Sequence, residues 1–419
     1  MHETENNPLT ELTIQSFVSS VILYHTTTFG NTEHTQRSVA RADAARQRLF
    51  GWLTADSAVP RPAGGLVLTG PAAVAWACGG VAPPVDRTAG VDLVWVVIGP
   101  AGAALITTAV EADRIRDEYD PAGHGFVELA EVPWYQPDAF VRAAEALTGR
   151  PAAELASDGH RAFGFDASDD LTGLRLALSP AEAADLTDLG ADAAQALQAS
   201  LAQWRPGERD LDIQARCAAH LEAAGADAPV LIVGGDDRLE RYRHPMAVGA
   251  PVRRLAMAVV VARRAGLHVA ATRFATAAPL GPDYLALRRK VLAIEDAVLT
   301  ASTAGSRYGT VLDTLDAAYA AAGAANGWSG HYQGGPIGFG QREFEIAPGQ
   351  TGSRWYSEPI AAGHAIAWNP SLPGGAKAED TYLVAAAGPL RRVTTAPGWP
   401  TEINDGRQPP RPAVLEVGT

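Results

Sequence analysis

The sequence predicts a two-domain α/β protein, and three features carry that prediction. Its 419 residues exceed what one ordinary hydrophobic core organises. Up to about residue 165, short apolar runs bounded by Gly and Pro alternate with helical patterns, the layout of a small α/β domain. Beyond that point the chain repeats a helix pair followed by strands, a weakly duplicated order that would curl a sheet beneath outer helices.

The elements follow in order. Residues 1–38 read as an N-terminal extension whose order the sequence leaves open. Ala40–Leu53 has a helical pattern, and the segment Gly64–Gly80 (GGLVLTGPAAVAWACGG) contains a buried strand. Val91–Ile98 and Ala103–Thr107, joined by Gly99-Pro100-Ala101-Gly102, form a hairpin, with a helix expected over Ala109–Glu118. The first domain is thus assigned to 39–165, and a composition shift at Ala167-Ser168-Asp169-Asp170 separates it from a second domain over 175–395. There Ser179-Pro180-Ala181-Glu182 is a strong helix start. Ser179 accepts from the third helical residue, Glu182 reaches back, and Pro180 suits the first turn. This helix runs to about Trp204, and Arg205-Pro206-Gly207 separates it from another over Leu211–Ala224. Strands are expected at Pro229–Val233, Leu255–Ala262 and Leu267–Phe274, then helices at Asp283–Thr300 and Thr310–Ala322. A Gly-rich, strand-like stretch follows, and residues 396–419 read as a loosely structured Pro/Gly-rich tail.

Composition narrows the function classes. Hydrophobic residues at 47% and charged residues at 19% are those of a globular protein. A net charge of −13 with no basic stripe argues against nucleic acid or an anionic membrane surface as partner. Apolar runs fall short of the roughly 18–20 residues needed to span a bilayer, and acidic residues precede the apolar stretch Leu12–Tyr24, which argues against a signal peptide. Cys78 and Cys217, without a CxxC pattern or a basic setting, suit a reducing cytoplasm and give no nucleophile. Lys290 and Lys377 are the only lysines among 34 basic residues, a bias that reads as codon usage. The sequence lacks GxxxxGK[ST], GxSxG and HExxH, and Gly234-Gly235-Asp236-Asp237 reads as a turn after a strand.

Five fragments in order carry a resemblance: Leu66–Gly70 with its LTG end, Trp204–Glu208 through Gly225-Ala226, Gly266–Phe274 (GLHVAATRF), Gly363–Pro370 (GHAIAWNP) and Ala378–Val384 (AEDTYLV). Together they resemble the peptidase M24 family, which contains aminopeptidase P, prolidase, methionine aminopeptidase and creatinase. The resemblance spans about residues 40–390. It implies a creatinase-type N-terminal α/β domain followed by a pita-bread domain, whose curved antiparallel sheet is covered by helices. It also implies a homodimer.

The family's chemistry depends on five ligands for two metal ions, carboxylates bridging the cations and a His completing the shell. The resemblance places those ligands at Val259, Ala270, Gly335, Asn369 and Glu379. Only Glu379 keeps the family's residue, so the chain reads as a degenerate member with no metal centre and no cofactor.

Creatinase implies a metal-free route to C–N bond cleavage, with a His as acid/base. His244 matches that position, and an imidazole there would move a proton near neutral pH. The segment His331–Glu345 (HYQGGPIGFGQREFE) occupies the family's metal-His strand, and its glycines permit close backbone approach among polar side chains. His331, Tyr332, Arg342 and Glu343 are its candidates. A buried Glu379 needs a cationic partner, either a substrate amine or guanidinium, or Arg273. Arg273 is alternatively tied to Asp380. Strand alternation puts His268 on the face of Ala270, and Asn369 offers a substrate hydrogen bond. The reading is a metal-independent, creatinase-like enzyme acting on a small nitrogen-containing substrate, with His244, His331 and Glu379 catalytic and Tyr332, Arg342, Glu343, Asn369, His268 and Arg273 binding. The alternatives are a catalytically inactive binding or scaffold protein, and an Xaa-Pro-type metallopeptidase using unconventional ligands such as His268 and His331.

Overall fold

A computed structural model describes residues 32–55, 64–80, 85–402 and 409–418. The expected extension at 1–38 lies largely outside the described residues, but its last part does not. Helix α1 spans Thr32–Thr54, starting well before the expected Ala40. Charge anchors this early turn: Arg37 and Arg41 both contact Asp185, each at 2.8 Å.

The chain up to Asp166 builds a six-stranded sheet. Its strands are β1 (Leu66–Leu68), β2 (Val94–Gly99), β3 (Gly102–Thr108), β4 (Glu128–Val132), β5 (Ala156–Ser157) and β6 (Phe165–Asp166), in the order β4-β3-β2-β1-β5-β6. Helix α2 (Pro71–Ala77) follows β1 and helix α3 (Ala139–Thr148) follows β4. The expected hairpin is β2–β3, with Val97 opposite Ala104. The helix expected over 109–118 is instead a short turn, Ala112–Arg114, running into a wider π-helical turn, Ile115–Tyr119. That wider turn delivers Tyr119 into the core, where its hydroxyl donates to the Cys78 carbonyl at 3.0 Å.

Helix α4 (Ser168–Arg175) leads into α5 (Pro180–Ala202), whose capping box forms as the sequence predicts. The Glu182 N–H donates to Ser179 Oγ at 3.3 Å, and the Ser179 N–H donates to Glu182 Oε2 at 2.6 Å. Helix α6 (Asp210–Ala223) packs beside α5, and strands β7 (Asp227–Gly235), β8 (Leu255–Arg264) and β9 (Leu267–Thr276) build the second sheet. The two faces of this sheet have different roles. Ala256, Ala258, Val260, Ala262 and Val269 join the core containing Leu197 of α5 and Leu221 of α6. The opposite face carries Val259, Ala270 and Thr272, because side chains alternate along a strand.

Helices α7 (Pro282–Ala301) and α8 (Tyr308–Ala321) form the second pair. Their core includes Ile294, Val298 and Leu315 against Ile366, Trp368 and Tyr382. The third sheet consists of β10 (Gly334–Ile337), β11 (Ala365–Trp368), β14 (Tyr382–Leu383) and β15 (Arg391–Arg392), with a small hairpin of β12 (Ser371–Leu372) and β13 (Ala376–Lys377) beside it. Thus each helix pair covers its own strands, as the duplicated layout suggests.

The C-terminal segment departs from the expected loose tail. Strand β16 (Leu415–Glu416) pairs in parallel with β9, Trp399 donates its indole N–H to the Ala413 carbonyl at 2.9 Å, and buried Arg411 lies 3.3 Å from Glu295. One Trp and one Arg dock a stretch whose Pro and Gly content resembles a linker's.

Candidate functional site

Hydrogen bonds join β9 of the second sheet to the segment that leads into β14 of the third. The Thr272 N–H donates to the Glu379 carbonyl at 3.0 Å, and the Ala270 N–H donates to Thr381 Oγ1 at 2.8 Å. These contacts bring the positions of the resemblance's metal ligands toward one another. Val259 lies opposite Thr272, Ala270 opposite Val261, and Gly335 opposite Ala367, two residues before Asn369.

The residues at these positions do not fit a pair of metal ions. Val259, Ala270 and Gly335 offer no side-chain donor atom. Glu379 is buried, and its oxygens are already engaged: Thr272 Oγ1 donates to Oε2 at 2.7 Å, and Asn369 Nδ2 donates to Oε1 at 3.1 Å. The Lys377 ammonium lies 3.2 Å from the same Oε2. A fixed positive charge against the one remaining carboxylate opposes a divalent cation there. Among the described residues, no group of three or more His, Cys, Asp or Glu side chains is arranged to hold a metal ion.

What the chain brings together instead is a histidine pair. His244 precedes β8 and His331 precedes β10, and their Nε2 atoms stand 3.1 Å apart. Hydrogen bonding at that distance requires one ring to donate N–H and the other to accept. Burial pushes the His331 imidazole down to about 3, helped by the charge of Lys377, by His244 and by Arg243. Burial and Lys377 also lower His244, while Glu379 acts in the opposite direction. Both rings are therefore held toward the neutral form at physiological pH. Arg243 donates from Nη1 to Ser371 Oγ at 3.0 Å, which fixes the turn carrying His244.

Two buried polar atoms here lack a partner, Asn369 Oδ1 and His331 Nδ1. Such groups are costly to leave unpaired, so they mark where a ligand hydrogen bond would be gained. Tyr332 is 58% exposed, with the Arg342 guanidinium 4.7 Å from its ring centre, and Arg342 also contacts Glu345 at 3.3 Å. Arg342 is close enough to His244 for its charge to lower that ring.

Three other sequence candidates are engaged within the protein. Arg273 donates to Asp380 Oδ1 at 2.7 Å and to the carbonyls of Thr272 and Thr394, so the tie to Asp380 holds and the one to Glu379 does not. Glu343 accepts from Arg175 Nε at 2.7 Å and from the Gly340 N–H at 3.0 Å. His268 is buried, its Nδ1 3.2 Å from the Gly338 carbonyl, and burial pushes it down to about 4. The partner expected for Glu379 is a substrate cation or Arg273, and the structure places Lys377 there instead. The sequence signal for it is rarity, since an arginine-rich chain places one of its two lysines at a buried position. Cys78 and Cys217 are free and buried, and burial pushes both thiols up to about 12, away from the thiolate form a nucleophile needs.

With a six-stranded sheet followed by two further sheets, each backed by a helix pair, the chain has the pita-bread fold of M24 proteins. Three solved structures show this likeness over nearly their whole length. Dipeptidase PepE from Mycobacterium ulcerans has a TM-score of 0.66 and 19% identity, covering 92% of this chain and 99% of that one. A recombinant prolidase from Thermococcus sibiricus has a TM-score of 0.67 and 13% identity over 90% and 99%. An Xaa-Pro dipeptidase from Bacillus anthracis has a TM-score of 0.64 and 14% identity over 91% and 100%. No protein-family model matches the chain, and no curated protein matches it by sequence. The shared property is the fold.

Proposed function

We propose that this protein is a metal-independent enzyme that breaks or rearranges a C–N bond in a small nitrogen-containing substrate by acid/base catalysis at the His244–His331 pair. The carrying observation is the contact between two largely neutral imidazoles, 3.1 Å apart, beside the buried Glu379–Asn369 pair. In a hydrolytic cycle, one ring takes a proton from attacking water as its oxygen bonds to carbon. A proton is then delivered through the pair to the departing nitrogen as the C–N bond breaks. Unpartnered Asn369 Oδ1 is an acceptor suited to a substrate N–H. The names of the solved relatives point to peptidases, and a peptidase reading of this chain needs metal ligands that these residues do not supply. We further propose a cytoplasmic homodimer, to be checked by sedimentation of the purified chain. Among the described residues, no helix is long and apolar enough to cross a membrane.

The test is a screen of amides, ureido compounds and guanidino compounds against metal-free protein, with binding followed by NMR and C–N cleavage by mass spectrometry. Turnover of at least one compound is expected, with His244→Ala and His331→Ala each slowing it roughly 10²–10⁴-fold. Binding without turnover would instead support a catalytically inactive binding protein. That second reading is favoured by the internal pairing of Lys377 with Glu379, Arg273 with Asp380 and Arg175 with Glu343. Neither binding nor turnover would overturn both readings.

A further inference from the structure

We infer that Lys377 is a specificity-determining residue of this site: its tethered ammonium fills the cation position against Glu379, so the site excludes cationic ammonium and guanidinium ligands and takes neutral N–H donors. The inference deepens the reading of the site as one for nitrogen compounds and rests on it, but its tests involve no turnover.

Three observations carry it. Lys377 is 6% exposed, and its Nζ lies 3.2 Å from Glu379 Oε2. Glu379 is also 6% exposed, and its oxygens already accept from Thr272 and Asn369, so the carboxylate has little left to offer a cation from solution. Strand pairing places the Lys377 backbone opposite Ser371 in the β12–β13 hairpin, whose Ser371 hydroxyl accepts from Arg243, so the side chain starts from a fixed point beside Glu379. A lysine head is a compact charge with three donors, a good substitute for a small bound cation. The other charges around the histidines are mostly positive. His244 faces Lys377, Glu379 and Arg342, and His331 faces Lys377, His244 and Arg243. A cationic ligand entering here meets several like charges and one carboxylate that is already paired. The acceptor still without a donor is Asn369 Oδ1, which a neutral amide or ureido N–H satisfies without bringing charge.

Lys377→Ala tests this by emptying the cation position and leaving Glu379 in place. Methylammonium chloride, compared with sodium chloride at equal ionic strength, is the probe, and the thermal unfolding midpoint is the readout. The expected result is a rise of a few degrees for Lys377→Ala at millimolar methylammonium, with no difference for the wild type, for Lys377→Arg, or for Lys377→Ala/Glu379→Gln. If Lys377→Ala does not fold alone, its refolding yield in methylammonium takes the place of the midpoint, and the double variant, with no unpaired charge, is expected to fold unaided. A purely structural lysine would also leave the histidines unchanged. Here Lys377→Ala is expected to raise the pH at which His244 and His331 protonate in NMR titrations, and Lys377→Arg to restore it. Stabilisation of the wild type by methylammonium, or indifference of Lys377→Ala to it, would overturn the inference even if the site proves catalytic.

Discussion

His244 and His331, 87 residues apart in sequence, meet with their Nε2 atoms 3.1 Å from each other. The rings are tilted by 54° and their centres lie 5.0 Å apart, so the contact is edge-on through nitrogen and not a ring stack. Such a contact is a single hydrogen bond in which one ring donates its N–H and the other accepts.

Titration of the pair is the first prediction. Burial, the Lys377 charge, His244 and Arg243 together push His331 down to about 3. The His331 ring resonances are therefore expected to stay unchanged between pH 8 and pH 5 in NMR spectra. In His244→Ala the midpoint should move upward, because one lowering influence is gone. A wild-type midpoint near the ordinary 6.5 would contradict this environment.

Arg273 separates structure from substrate binding. Its guanidinium and the Asp380 carboxylate are both nearly inaccessible and 2.7 Å apart, with Thr394 Oγ1 donating to the same carboxylate oxygen at 2.5 Å. Arg273→Met leaves a buried carboxylate without its cation, and a loss of about 3–5 kcal/mol is expected in urea unfolding. A change within about 0.5 kcal/mol would mark an exposed side chain free to hold substrate.

The way stability depends on pH follows from five buried groups. Burial lowers His268 and His364 to about 4 and His331 to about 3, while it raises Glu295 to about 7 against the pull of Arg411 and Asp92 to about 6 against two backbone N–H donors. Below pH 6.5 the unfolded chain gains three imidazole protons that the folded chain refuses, and this destabilises the fold as pH falls. Glu295 and Asp92 act in the opposite sense, since the folded chain holds two protons there that the unfolded chain releases. Three against two gives a net loss of about 1 kcal/mol per pH unit between pH 6 and pH 5. Urea midpoints across that range should fall on acidification, and Glu295→Gln should steepen the fall. A flat or rising profile would contradict the assignment of buried neutral histidines.

The long elements are legible in the sequence because local chemistry and packing agree. The Ser179–Glu182 capping box starts α5, and the β8–β9 hairpin is a pair of nearly continuous apolar runs. The loss of metal ligands at Val259, Ala270 and Gly335 is visible once the strands are placed. Less legible are features set by distant partners. The early start of α1 depends on Asp185, the docked C-terminal segment on Glu295, and the partner of Glu379 on a hairpin returning Lys377 to it. His244 and His331 stand out in the sequence on separate grounds, but periodicity carries no trace of their mutual contact. Glu343 reads as a pocket residue because it lies in a polar, Gly-rich run, whereas Arg175, 168 residues away, claims its carboxylate.

The most direct test of a metal-independent site is the metal content of the purified protein, measured by mass spectrometry after incubation with manganese, cobalt, zinc and iron and removal of free ions. With Lys377 against Glu379 and no donor atoms at Val259, Ala270 or Gly335, a stoichiometry near zero is predicted for every metal. One or two tightly held ions per chain would contradict it and return the peptidase reading, with His268, His331 and Glu379 the first residues to mutate.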